Sequence, residues 1–142
     1  MRIHDILSTK GFDVIHIDPG ASVRDLVALL REHNLGAVVV SADGRRIEGI
    51  VSERDVIREL AGGPSFLDSP VSSIMTADVH TCTTDESVES LMTAMTDRRV
   101  RHFPVTNRDG VLTGIVSIGD LVKSQIAQLR FERDQLEGYV SG

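Results

Sequence analysis

Gly49-Ile50-Val51-Ser52-Glu53-Arg54-Asp55 returns at an offset of 65 residues as Gly114-Ile115-Val116-Ser117-Ile118-Gly119-Asp120. At the same offset Val14, Ser22, Val23, Leu26 and Val40 meet Val79, Ser87, Val88, Leu91 and Val105, so a whole supersecondary unit is duplicated rather than one motif. Two copies are too few for a solenoid, because each unit must bury its apolar face against the other. The expectation is two repeats packed about a pseudo-two-fold axis with a cleft between them.

Each repeat reads as strand, helix, strand, strand, helix. In the first, Val14-Ile15-His16-Ile17 is a short apolar strand ended by Pro19-Gly20. Ser22 then caps a helix whose buried face is Val23, Leu26, Val27 and Leu30. Asn34 to Gly36 gives a left-handed stop signal, and the unbroken Ala37-Val38-Val39-Val40 predicts a buried strand. Asp43-Gly44 marks the hairpin back to Val51, and a second helix opens at Ser52.

The second repeat predicts a strand over 79–82 and a helix capped by Ser87 with Val88, Leu91, Met92 and Met95 inward. A hairpin over 100–106 and 111–116 follows, around Asp109-Gly110. The last helix opens at Ser117 and meets no breaker before Gly138, so about twenty residues are expected, with Leu121, Val122, Ile126, Leu129 and Leu136 as an extra apolar seam. Such a seam suggests a partner, with a second copy of the chain the expected one. The organisation is therefore α+β: repeat one over 3–61, a Gly/Ser/Pro linker over 62–73, repeat two over 74–124 and a helical extension over 125–142. Ile6-Leu7-Ser8 and Ile74-Met75-Thr76 form matching lead-ins, the first followed by three extra residues.

Composition narrows the function. The chain has 142 residues, 41% of them apolar, a net charge of -6 and a single cysteine, Cys82. An acidic chain is a poor fit to nucleic acid, which requires a concentrated Lys/Arg face. No run approaches the ~18 apolar residues of a membrane span, and the start carries no apolar signal region, so a cytoplasmic protein without nucleic-acid or membrane partners is expected. The five histidines show no metal-ligand spacing, and there is no Gly-x-Ser-x-Gly elbow, phosphate-binding Gly-rich loop or dinucleotide fingerprint. Nothing in the pattern is built to make or break bonds, and a non-enzyme is expected.

Two polar features remain. Ser52/Asp55 and Ser117/Asp120 sit where each buried strand runs into a helix. There a serine and an acidic residue satisfy open amides, and the same groups can accept ribose hydroxyls beside a phosphate on the helix N-terminus. Both roles can hold together. Arg98-Arg99-Val100-Arg101-His102 is the one dense basic cluster. Arg98 and Arg99 suit a helix C-terminus, whereas Arg101 and His102 stand at a strand entrance, where an arginine fork suits phosphate.

With these motifs, together with Ser73-Ile74-Met75-Thr76-Ala77-Asp78-Val79 and Arg101-His102-Phe103-Pro104-Val105, the chain resembles a tandem pair of cystathionine-β-synthase-type (CBS) domains, the Bateman module. The likeness runs from about Ile3 to Lys123, and Gln135-Leu136-Glu137-Gly138-Tyr139-Val140 is similar to the tail of small stand-alone bacterial members. The resemblance implies β-α-β-β-α repeats and a regulatory adenosyl ligand, such as AMP, ATP, NAD or S-adenosylmethionine, with no catalytic cofactor. It implies a homodimer as well. It also implies one site of Ile50, Ser52, Arg54, Asp55, His80, Val100, Arg101 and His102, and a mate of Lys10, Ile15, Leu35, Gly36, Ile115, Ser117, Gly119 and Asp120. The second carries Gly119 where the first carries Arg54, so unequal occupancy is expected. A nucleotide sensor acting through shape or partner affinity is the leading expectation, with an unidentified effector protein as a possible partner. The alternative is an interaction module with vestigial clefts, and the retained aspartates favour the sensor.

Overall fold

Serine oxygens open four of the helices at the positions their sequence spacing predicts. In the computed structural model, which describes residues 1–141, the Asp25 amide donates to Ser22 Oγ (3.1 Å) and the Ser90 amide to Ser87 Oγ (3.1 Å). These caps start α2 (Val23–His33) and α4 (Val88–Arg98). Ser52 and Ser117 do the same for α3 (Glu53–Leu60) and α5 (Ile118–Ser141) through the Asp55 and Asp120 amides. At the other ends, α2 and α4 stop on residues in the left-handed region, Asn34 (φ 53°) and Arg99 (φ 55°).

The strands are short. β1 (His16–Ile17) runs parallel to β2 (Ala37–Val40), which pairs antiparallel with β3 (Gly49–Ser52) in the register Ala37↔Ser52 to Val40↔Gly49. β4 (His102–Thr106) and β5 (Leu112–Ser117) form a separate antiparallel pair in which His102 faces Ser117. The Leu112 amide donates to the Arg45 carbonyl (2.8 Å), tying the second hairpin to the turn of the first. All four residues of β2 are buried, as its unbroken apolar run predicts.

Five expectations are corrected. Residues 79–82 do not form a strand; Cys82 alone bridges Val105 in parallel, its amide donating to the Pro104 carbonyl and its carbonyl accepting from the Thr106 amide, while the next amide, of Thr83, donates to Glu86 Oε2 instead. The predicted first strand shrinks to His16 and Ile17. The Asp43-Gly44 turn takes a positive φ at Gly44 alone (76°), since the Asp43 carboxylate accepts from the Arg45 and Arg46 amides and holds a wider loop. Leu121, assigned to an outward seam, is fully buried in the second core, and α5 runs on through Gly138.

The matching lead-ins are exchanged between repeats. The first is a helix, α1 (Ile3–Lys10), and its Ile3, Ile6 and Leu7 pack with Val88, Leu91, Met95, Phe103, Val105, Val116 and Leu121 of repeat two. The second follows directly on the expected linker, which forms two 3-10 turns, Pro64–Asp68 and Val71–Ser73. Val71 of the linker and Ile74 and Met75 of the lead-in pack with Ile17, Leu26, Leu30, Val38, Val40 and Val51 of repeat one. The exchange holds bond for bond. The Val88 amide donates to the Met1 carbonyl (3.0 Å) as the Val23 amide does to Ser69 (2.9 Å), and Arg2 bridges Ser87 as Pro70 bridges Ser22.

That exchange explains the glycine at the head of each repeated motif. A Cβ on Gly114 would meet Leu7 Cδ1 at 2.8 Å. One on Gly49 would meet Met75 Sδ at 2.5 Å and the Thr76 carbonyl oxygen at 2.9 Å. In both repeats the crossing segment presses on bare backbone, which only glycine offers.

Candidate functional site

Where β3 becomes α3, the chain holds a carboxylate in a fixed place. Asp55 Oδ2 accepts from the Ser52 amide (2.8 Å) and from Ser52 Oγ (3.1 Å), while the Asp55 amide donates back to Ser52 Oγ (3.4 Å). The reciprocal pair completes a capping box at the amide end of α3, and Asp55 Oδ1 has no hydrogen-bond partner among the described residues. A half-buried carboxylate with one free oxygen, beside open helix amides, suits a ligand that carries both hydroxyls and an anionic group.

The wall opposite comes from the other repeat. Val100, Arg101 and His102 at the entrance of β4, and Thr76, Asp78, Val79 and His80 from the crossing segment, face Ile50, Ser52, Arg54 and Asp55 across a cleft of about 300 Å³. That volume is at the lower end of the roughly 300–1,000 Å³ of small-molecule sites. The Ile50 backbone is fixed on both sides, exchanging N–H···O bonds of 2.9 Å with Thr76 in each direction. Four arginines, Arg54, Arg58, Arg99 and Arg101, line the space against Glu53, Asp55 and Asp78. Among the described residues none of these arginines is in an ion pair, which leaves their forks free for an anion. Thus an acidic chain concentrates cations at one place.

His102 sits between this cleft and the second repeat's motif. Burial first, and then the Lys10 ammonium, push its imidazole below the ordinary histidine value against the opposing pull of Asp120 and Glu53. It is therefore neutral at pH 7 and offers one donor and one acceptor. His80 contacts the Arg98 guanidinium and lies 6.4 Å, ring to ring, from Phe103.

The mate assembled from the sequence is differently built. Lys10, Ile115, Ser117 and Asp120 do come together. The Lys10 ammonium donates to Asp120 Oδ2 (2.6 Å) and to the Ile115 carbonyl (2.9 Å), and the Ser117 amide donates to the same Oδ2 (2.8 Å). Burial opposes ionisation of Asp120, but Lys10 and the Ser117 amide outweigh it and hold the carboxyl below the usual range. Gly119 has only Ser117 Oγ near its Cβ position. Ile15 and Leu35 pack against the core of repeat one, and Gly36 lines the first cleft beside His102. Gly36 thus belongs to the wall of the first cleft rather than to the mate alone, because β2 passes close to the β4 entrance.

All eight residues of the first set line one cleft. The sequence reading omitted Ala37, Val51, Glu53, Arg58, Thr76, Asp78, Val79 and Arg99. Arg58 was within reach of it, since it follows Arg54 by one helical turn on the same face. Arg99, at the C-terminal cap of α4, lines the cleft from a left-handed backbone (φ 55°).

Burial, with the Glu86 carboxylate, pushes the Cys82 thiol up to about 12, so it packs as a small apolar group. Among the described residues no cluster of three His, Cys, Asp or Glu side chains could hold a metal, and no helix is long and apolar enough to cross a membrane.

Comparison with known proteins shows the family and the fold. The family model described as CBS domain matches residues 3–62 and 71–127. A CBS-domain containing protein of Agrobacterium tumefaciens superposes with a TM-score of 0.84 at 41% identity, over 88% of this chain and 99% of that one. A CBS domain protein of Pyrobaculum aerophilum, solved in complex with AMP, superposes with a TM-score of 0.76 at 27% identity, over 84% and 89%. The mitochondrial CBS domain-containing protein CBSX3 of Arabidopsis thaliana is 34% identical over 99% of this chain and 72% of its own length.

Proposed function

Because the chain belongs to the CBS-domain family, we propose that it is a non-catalytic cytoplasmic regulator that binds an adenosyl nucleotide of the AMP, ATP or NAD class in the cleft between its repeats. One observation carries the reading: Asp55, four arginines without an ion pair among the described residues, and the α3 amide end converge on a single cleft built from both repeats. Asp55 Oδ1 takes the ribose hydroxyls. Arg101 and Arg54 take phosphate oxygens with the α3 amides behind them, and the adenine lies among Ile50, Val79 and Val100. The Pyrobaculum relative's complex with AMP supports the adenosyl class of the ligand. A ligand touching both repeats acts only to the extent that it binds one of their relative arrangements better.

Calorimetry with AMP, ATP and NAD tests it. Asp55→Ala is expected to weaken every adenosyl ligand. Arg101→Ala should weaken the ligands richer in phosphate selectively, by about 1.5–3 kcal/mol for a charged hydrogen bond. Unchanged affinity in Asp55→Ala refutes the ribose assignment and leaves Ser52/Asp55 as a helix cap.

A specific observation favours a second role in assembly. Ile57 (67% exposed) and Leu60 (53%) on α3, with Ile126 (45%) and Leu129 (56%) on α5, leave large apolar side chains in solvent. We propose that a second copy of the chain covers the α5 seam, giving a homodimer. Light scattering at tens of micromolar should give twice the chain mass, and truncation after Ser124 should reduce it.

A further inference from the structure

The two repeats are alike in their strand-to-helix turns and unlike in what lies against the edge of the last strand. On β3 the outward N–H and C=O of Ile50 are both satisfied by the backbone of Thr76, because the second lead-in leaves its 3-10 turn and runs antiparallel beside β3 at that residue. From there it lines the first cleft with Asp78, Val79 and His80. The first lead-in, with its three extra residues, instead stays helical to Lys10 and ends at Gly11, whose φ of 111° and amide bond to the Leu7 carbonyl (2.7 Å) close the helix. Its final side chain reaches the equivalent place on β5. The ammonium spans the outward Ile115 carbonyl and Asp120 Oδ2, so it rests on the carboxylate that corresponds to Asp55.

We infer that Lys10 is an internal occupant of the second cleft, and that this chain binds an adenosyl ligand at the first cleft while the second stays closed until Lys10 is drawn away. The inference rests on the proposed function of the first cleft. Three observations carry it. Among the described residues Asp55 has hydrogen bonds only from its own motif, whereas Asp120 also holds a cation from α1, the element that repeat two borrows from the start of the chain. The pair is partly shielded, with side-chain exposures of 37% for Lys10 and 24% for Asp120. Gly119 replaces Arg54, so the second motif brings no cation of its own that could compensate a phosphate when Lys10 remains on Asp120. A ribose entering here must break a charge-assisted bond before it makes one. A site competent only when that bond is open loses apparent affinity by the fraction of time it is open, at least about tenfold for such a pair.

The test is the stoichiometry of AMP binding to the full chain and to Lys10→Met, which keeps an unbranched aliphatic side chain and removes the charge. The wild type is expected to take one AMP per chain, lost in Asp55→Ala. Lys10→Met should take a second, tightened at least about tenfold and abolished by adding Asp120→Ala. One AMP in both proteins, or two in the wild type, overturns the inference and leaves the first-cleft reading standing. AMP bound only by Lys10→Met, and lost with Asp120→Ala, supports the inference while refuting the first-cleft reading. Binding in neither protein refutes both. A carbon-detected NMR titration of Asp120 is independent of any ligand: its midpoint should rise in Lys10→Met, and an unmoved midpoint overturns the inference.

Discussion

Replacing Gly49 by alanine tests the exchange of lead-ins and the first cleft in one variant. The added methyl would stand 2.5 Å from Met75 Sδ, 3.0 Å from Met75 Cγ and 2.9 Å from the Thr76 carbonyl oxygen. Met75 can swing away, but the Thr76 oxygen is backbone and already accepts the Ile50 amide at 2.9 Å, so the crossing segment itself must lift off β3. Overpacking of this kind costs about 1–3 kcal/mol. Loosening the two Ile50–Thr76 bonds adds about 0.5 kcal/mol each, for a total of roughly 2–4 kcal/mol. With a midpoint shift near 3 °C per kcal/mol for a chain of this size, thermal unfolding followed by circular dichroism should fall by roughly 6–12 °C. Because Ile50 and Thr76 line the cleft, AMP affinity measured on the folded variant should fall as well. Gly138→Ala is the internal control. It adds a methyl with nothing within 4 Å inside α5, so it should be neutral or slightly stabilising, by about 1 kcal/mol at most. A Gly49→Ala protein that melts within 2 °C of the parent and binds AMP equally well refutes the close approach.

Val71 is fully buried in what composition marks as a linker, so Val71→Ala should cost about 1.5–3 kcal/mol in urea titration, where a true surface linker would lose almost nothing. His102 has its folded-state value depressed, so the unfolded chain takes up its proton first. Its contribution to stability is complete above the unfolded value near 6.5 and declines as pH falls toward the folded one. His102→Gln should flatten the stability profile in that acid window, and a profile identical to wild type refutes the depressed imidazole. Asp120 has the same sign at lower pH. Its share is present above about 3.9 and is lost as the carboxyl protonates below that, and Lys10→Met should remove most of this dependence in an acid-unfolding series.

The parts of this molecule that local chemistry controls were legible in the sequence. Ser22, Ser52 and Ser87 cap helices as their spacing requires, Asn34 ends α2, and the unbroken apolar run of β2 is buried on every residue. The eight residues expected in the first site do meet at one cleft, because the strand-to-helix turn fixes Ser52 to Asp55 and the β4 entrance fixes Val100 to His102. What was illegible depended on distant partners. Residues 79–82 carry strand-like apolar character but find only one ladder position, at Cys82. The Ile6 and Ile74 lead-ins looked alike in sequence, yet nothing local shows that each packs on the other repeat. Lys10 was assigned as a ligand contact, and its reach to Asp120 follows only from α1 staying helical through the three extra residues. The position of Leu121 inside the core likewise depends on the angle at which α5 leaves β5.

The exchanged lead-ins mean that neither half of the chain carries its own complete interior. A fragment ending at Gly63 lacks Val71, Ile74 and Met75 from its core and presents Ile3, Ile6 and Leu7 with nothing to cover them. A fragment starting at Pro64 has the converse deficit. Each half is a plug for a socket in the other, so cleaving the backbone between them should leave a noncovalent pair that refolds only when mixed. For the same reason the halves are clasped at two points rather than hinged at one. Any motion that opens the cleft must slide both clasps at once, which favours a small, concerted shear over a wide swing.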